Sequence, residues 1–122
     1  MEKINVAVLG ASAKQDRYSN QAVKLLSESG YTVIPVHPSG KTVNGLETFK
    51  HLSDINIPID TLTIYVNASL SYSLKDEILK LSPRRIIFNP GTENAELEAI
   101  CREKGVLTEK ACTLVLLKTS SF

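Results

Sequence analysis

Two cysteines, Cys101 and Cys112, are too few for a disulfide framework and lack the paired spacing of a zinc site. Histidine is equally sparse, with only His37 and His51, so no cluster of metal ligands is legible. Charge of one sign is missing as well: 14 Lys and Arg against 13 Asp and Glu leave a formal net charge of +1 at pH 7. Nucleic acids and anionic membranes select a large basic excess or a basic stripe, so neither is expected as a partner. Any anion site must be local. No apolar run approaches the roughly 20 residues of a membrane span. Met1-Glu2-Lys3-Ile4 passes straight into strand-like sequence, which leaves no room for a signal peptide. The expected location is the cytoplasm.

With 122 residues, 43% of them hydrophobic and 22% charged, the chain is expected to be one globular domain over 1–122. Ile4 to Leu9 is apolar and β-branched, the pattern of a strand covered on both faces. After the Gly10 to Asp16 loop, Ala22, Val23, Leu25 and Leu26 recur at helical spacing and Gly30 supplies a stop. Tyr31 to Val36 repeats the strand signal and ends in the turn-forming His37-Pro38-Ser39-Gly40-Lys41. Val43 to Asn56 is less regular, with a loop signal at Asn44-Gly45 and a weak helical pattern at Thr48 to Leu52.

Thr61 to Val66 reads as a third strand, and Leu70 to Leu81 as a helix with Leu74, Ile78 and Leu81 on one stripe and Ser69 or Ser71 as its cap. Arg84 to Phe88 is a fourth strand closing at Asn89-Pro90-Gly91; Thr92 can cap the next helix, with Glu93 and Glu96 in its first turn and Leu97, Ile100 and Cys101 on its core face. Val106 to Glu109 is a short fifth strand, and Thr113 to Leu117 fits either a strand or a short packed helix. Strands alternating with helices predict an α/β fold: a doubly wound, mostly parallel, five-stranded Rossmann-like sheet, with order 3-2-1-4-5 expected. Ligands in such folds sit beyond the carboxyl ends of the strands, where the winding reverses. That rule puts Gly10 to Arg17 and Asn89 to Thr92 on the two sides of one crevice, with the loops after Val36 and Val66 along its extension.

Gly10-Ala11-Ser12 has little side chain, so its backbone amides could approach a phosphate. Lys14 and Arg17 would add charge at the rim, and Ser19 or Asn20 would cap the helix or donate to the anion. The dinucleotide fingerprint G-x-G-x-x-G is not met, because Ser12 and Gln15 stand where its second and third glycines belong. His37-Pro38 also replaces the acidic residue that would bind a nicotinamide-linked ribose. A phosphorylated ribose is still compatible, with Lys41 in reach. His37 has no carboxylate or nucleophile partner in the sequence, and His51 carries no functional signal. Cys112 admits two readings, a reactive thiol at the crevice or a small buried residue. No Ser/His/Asp arrangement or carboxylate pair marks a catalytic centre.

Val-Leu-Gly-Ala-Ser-Ala-Lys at Val8 to Lys14 is followed by Arg17-Tyr18-Ser19, Gly30-Tyr31, Val33 to Pro38, Pro58-Ile59-Asp60 and the late Cys112. Together these resemble the small CoA-binding-domain proteins, which are similar to the CoA-binding domain of the succinyl-CoA synthetase α subunit standing alone. The resemblance covers nearly the whole chain. It implies a Rossmann-like fold and coenzyme A, or an acyl-CoA, held non-covalently. By position it implies a phosphate turn at Gly10, Ala11 and Ser12 with Lys14 and Arg17 nearby, and an adenosine-side loop at Pro38 and Lys41. Val66 and Asn67 match the close of the third strand on the ligand, and Asn89, Pro90 and Gly91 match the segment after the fourth. Two departures are His37-Pro38, where family members often have Asn-Pro, and Asn67-Ala68-Ser69, where many have a basic or aromatic residue. The synthetase's phosphorylated histidine and nucleotide-binding subunit lie outside this domain, so ligase activity is not implied. The expected function is a binding module with a carrier, sensor or regulatory role. The alternatives are an NADP- or other nucleotide-dependent oxidoreductase, a CoA-thiol exchange protein using Cys112, and a protein-recognition subunit with a vestigial pocket.

Overall fold

Every residue from Val6 to Leu9 is buried, as a strand requires when helices cover both its faces. This strand is β1 (Asn5–Leu9), and its side chains alternate between two cores. Val6 and Val8 join Ala11, Val23, Leu26 and Val43, whereas Ala7 and Leu9 join Ile34, Leu62, Ile64, Phe88 and Leu97. The computed structural model describes residues 4–122, so the reading of Met1 to Lys3 lies outside the described residues.

Following β1 come α1 (Tyr18–Glu28), β2 (Thr32–Val36), a 3-10 turn (Leu52–Asp54), β3 (Thr61–Ile64), α2 (Ala68–Ser73), α3 (Lys75–Leu81), β4 (Arg85–Phe88), α4 (Ala95–Glu103), β5 (Leu107–Lys110) and α5 (Thr113–Lys118). All strand pairs are parallel, in agreement with the expected α/β class. Helices α1 and α5 pack together on one face, and α3 and α4 supply Ile78, Leu97 and the buried Cys101 to the other. Burial pushes the Cys101 thiol up in pKa, which suits a core residue. Among the described residues no helix is long and apolar enough to cross a membrane.

The sheet order is β2-β1-β3-β4-β5 and not the expected 3-2-1-4-5. Proline supplies the reason. Pro35 turns its carbonyl to the outer edge of β2, where it accepts the Phe49 N–H at 2.9 Å; its missing N–H falls on that same edge, so a full strand there would lose a ladder bond. A single bridge between Val36 and Phe49 covers the edge instead, and β3 takes the far side of β1, from Val6 opposite Thr61 to Leu9 opposite Ile64. The same bridge keeps Phe49 extended, so the weak helical pattern at Thr48 to Leu52 does not form and only the 3-10 turn follows.

The helix starts differ from the expected ones where several short polar side chains stand within reach of the same backbone donors. The predicted helix over Leu70 to Leu81 is two helices that meet at Leu74. Asn67, not Ser69 or Ser71, caps the first, its Oδ1 accepting the Leu70 N–H at 2.8 Å. Asn94, not Thr92, caps α4 by accepting the Leu97 N–H, while the Thr92 hydroxyl donates to the Asn89 carbonyl at 2.8 Å. Glu93 precedes that helix and accepts the Gly91 N–H.

Two features set the geometry at the carboxyl ends of the strands. At Gly10, φ is +90°, and a Cβ would lie 2.8 Å from Val66 Cγ1 and 3.2 Å from the Tyr65 backbone; only glycine lets the loop after β1 pass this close to the end of β3. One strand further, the 2% exposed Asn89 donates through Nδ2 to Thr63 Oγ1 at 2.6 Å and to the Ile64 carbonyl at 2.9 Å. Its Oδ1 accepts the Thr113 N–H at 2.9 Å, and the Thr63 and Thr113 hydroxyls lie 2.7 Å apart. This buried knot ties β3, β4 and α5 together. At the opposite end, Arg84 Nε meets Asp60 Oδ1 at 2.8 Å.

Asn89→Ala strips partners from buried groups on both β3 and α5, and is expected to destabilise the fold by about 2–4 kcal/mol in urea unfolding. Gly10→Ala is expected to cost about 1–3 kcal/mol from left-handed backbone strain and contact with Val66; adding Val66→Ala should recover only the contact part, as the two melting curves would show. The Arg84 guanidinium holds the Asp60 carboxyl below the usual carboxylate range. Its stabilisation is therefore present above the unfolded carboxylate pKa and lost as pH falls through the folded one. Arg84→Met should flatten that acid limb below the unfolded carboxylate pKa, by no more than about 1 kcal/mol because the Arg84 side chain is more than half exposed.

Candidate functional site

Because β3 lies beside β1, the loop facing Gly10 is Tyr65-Val66 at the end of β3, and the Asn89 to Thr92 segment stands one strand further away. The crevice therefore differs from the one expected between Gly10 to Arg17 and Asn89 to Thr92. It has two arms. One, of about 500 Å³, carries the Lys14 and Arg17 cations and the Ser12 and Ser19 hydroxyls, with Tyr18 beside them. The other, of about 370 Å³, is mostly apolar, with Leu9, Val36, Pro38, Leu52, Val66, Leu70 and Leu74 in its walls and Lys50, His51 and Glu77 as its charged or titratable members. Gly10, His37 and Tyr65 border both arms and form the neck between them. Both volumes fall within the range of small-molecule sites. A larger depression of about 830 Å³ runs along α1 toward Leu114 and Lys118, and of the residues expected to bind it gathers only Asn20.

The loop after β1 is internally bonded. The Gly10 and Ala11 N–H groups both donate to the Val36 carbonyl, at 2.9 and 3.1 Å. The Ser12 N–H donates to Ser19 Oγ at 3.1 Å, and the Lys14 N–H to Ser12 Oγ at 3.1 Å. The expected backbone phosphate turn is thus closed by β2 adjoining β1, which supplies an acceptor at Val36. Neither Ser19 nor Asn20 caps α1: Arg17 holds the cap position, and Asn20 Nδ2 donates to the Ser12 carbonyl at 2.8 Å. What remains for an anion is the Lys14 and Arg17 cations, the Ser12 and Ser19 hydroxyl hydrogens, and the uncapped first-turn amides of α1.

On the β2 side, the turn after Val36 is equally defined. The Ser39 N–H donates to His37 Nδ1 at 3.0 Å, the Gly40 N–H donates to the His37 carbonyl at 3.0 Å, and the His37 N–H donates to the Phe49 carbonyl at 2.9 Å. Gly40 lets the Lys50 methylenes lie across it, since a Cβ there would come within 2.9 Å of Lys50 Cε. At the neck, Tyr65 keeps its hydroxyl buried without a hydrogen-bond partner among the described residues. That burial pushes its pKa up to about 12, so the ring faces the groove as an uncharged surface.

Of the residues expected from sequence, Gly10, Ser12, Lys14, Arg17, Ser19, His37, Pro38 and Val66 come together around the groove. Ala11 lies in the core beneath it. Lys41 is exposed beyond the Ser39 turn, Asn67 is engaged as the α2 cap, and Asn89 is turned inward with Pro90 and Gly91 beside it. Cys112 is half-buried at the start of α5 and lines neither arm. Sequence reasoning did not single out Tyr65, Lys50, His51, Leu70, Leu74 or Glu77. Tyr65 had a readable signal, an aromatic residue at the carboxyl end of a buried strand; the others reach the groove only through the path of Val43 to Asn56 and the break at Leu74. Among the described residues no group of His, Cys, Asp or Glu is arranged to hold a metal.

Comparison with known proteins gives this geometry a family. The model of the CoA binding domain matches residues 5–118. The uncharacterized protein YneT of Bacillus subtilis (strain 168) is 28% identical over 100 residues, covering 82% of this chain and 74% of that protein. A crystal structure of an uncharacterized protein superposes with a TM-score of 0.93 at 37% identity and covers 100% of both chains. The dinucleotide forming acetyl-coenzyme A synthetase 1 of Ca. Korarchaeum cryptofilum, solved with phosphate and ADP, shares the fold with a TM-score of 0.73. That match is at 22% identity and covers 85% of this chain and 25% of the synthetase. With a groove at the carboxyl ends of a parallel sheet and a domain match spanning nearly all of its length, the chain belongs to the CoA binding domain family.

Proposed function

We propose that this chain binds coenzyme A or an acyl-CoA non-covalently, as a small cytoplasmic module with a carrier, sensor or regulatory role and no catalysis of its own. The observation that carries this reading is the two-armed groove, cationic on one side of the neck and apolar on the other. Coenzyme A divides in the same way: anionic phosphates at one end, and a long, uncharged pantetheine arm leading to the thiol or thioester. Lys14 and Arg17 take the phosphates as charge-assisted donors, with the Ser12 and Ser19 hydroxyls beside them. Val36, Pro38, Val66, Leu70 and Leu74 offer apolar contact to the remainder. Cys112 lines neither arm, which weakens the reading of a thiol exchange protein.

Titration calorimetry tests the proposal directly. Lys14→Ala and Arg17→Ala are each expected to weaken CoA binding by about 1.5–3 kcal/mol. CoA at 100 times its dissociation constant should stabilise the fold by about 2.7 kcal/mol, a shift readable by thermal unfolding. A wild-type protein that gives no heat and no shift with CoA, yet responds to NADP or AMP, would overturn this reading.

A further inference from the structure

Any molecule that occupies both arms must pass Gly10, His37 and Tyr65. Gly10 has no side chain, and its N–H is engaged by the Val36 carbonyl. Tyr65 buries its hydroxyl and shows its ring. The imidazole of His37 is therefore the one polar side chain at the neck with a free hydrogen-bonding atom.

Which atom is free follows from the turn. A backbone N–H only donates, so the 3.0 Å contact from the Ser39 N–H makes His37 Nδ1 the lone-pair nitrogen and puts the ring hydrogen on Nε2. Ser39 Oγ lies 2.9 Å from the same nitrogen and can only add a second donor to it. The clamp is itself held, by the fixed φ of Pro38 and by the bonds from Gly40 and to Phe49. We infer that His37, its Nδ1 taken by the Ser39 N–H, donates Nε2–H to a phosphoryl oxygen at the point where a pyrophosphate leaves the Lys14 and Arg17 arm for the apolar one. This inference rests on the CoA reading above and adds the ring tautomer and the atom it contacts.

His37→Ser separates the two nitrogens. A Ser Oγ can accept the Ser39 N–H as Nδ1 does, keeping the turn, while no donor reaches the Nε2 position. The variant is expected to unfold at the wild-type temperature and to bind CoA roughly 10- to 100-fold more weakly by calorimetry. The same loss should appear with dephospho-CoA, which keeps the pyrophosphate and lacks the 3′-phosphate. In the free wild-type protein, long-range ¹⁵N–¹H NMR of the imidazole at pH 7.5 should show a single Nε2–H tautomer. An Nδ1–H tautomer, or wild-type CoA affinity in His37→Ser, overturns the inference and leaves the CoA reading standing. A loss seen with CoA but not with dephospho-CoA overturns the pyrophosphate contact. No binding of CoA by the wild-type protein overturns the CoA reading and the ligand contact with it, while the tautomer is still decided by the spectrum.

Discussion

The loop after β1 and the end of β3 approach so closely at Gly10 that no Cβ fits between them, and the whole binding face depends on that contact. It brings Tyr65 and Val66 to the loop that carries Lys14 and Arg17, and so creates a neck with a cationic arm on one side and an apolar arm on the other. The approach exists because β3 pairs with β1. That pairing follows in turn from Pro35, which keeps β2 at the edge of the sheet. One missing N–H therefore shapes the site from the far side of the central strand.

Rigidity around this neck comes from polar groups more than from apolar ones. Gly10 and Ala11 share the Val36 carbonyl, Ser12 and Ser19 interlock, and Asn89 joins two strands to α5 from inside the protein. Each bond answers a donor or acceptor that would otherwise be buried unpaired. The consequence is that the Gly10, Ala11, Ser12 and Lys14 amides are already bonded, while the first-turn amides of α1 are left uncapped. In this respect the loop differs from a glycine-rich dinucleotide turn, whose amides point at the phosphates.

Much of the fold was legible along the chain. The buried run at Val6 to Leu9, the helical spacing after Ser19 and the Gly-marked turns follow from periods of 2 and 3.6 that belong to single elements, and the class and the five strands hold. That Lys14, Arg17 and the His37-Pro38 turn border the groove was legible because they follow strand ends. Strand order was not read, although Pro35 held the signal. The caps at Asn67 and Asn94 were misassigned to nearby Ser and Thr, since several short polar residues stood in reach of each helix start and only the path of the chain chooses among them.

By itself the sequence determined the alternation of strands and helices, the burial of β1, the failure of the dinucleotide fingerprint and the place of the cationic loop, because each depends on residues close together in the chain. Only the tertiary structure decided that β3 lies beside β1, that Gly10 abuts Val66, that Asn89 faces inward, and that Lys50, His51, Leu70 and Glu77 reach the groove. These are contacts between segments far apart in sequence. Their partners are selected by which edges can complete a hydrogen-bond ladder and which side chains can be buried together, and neither condition has a local period to read.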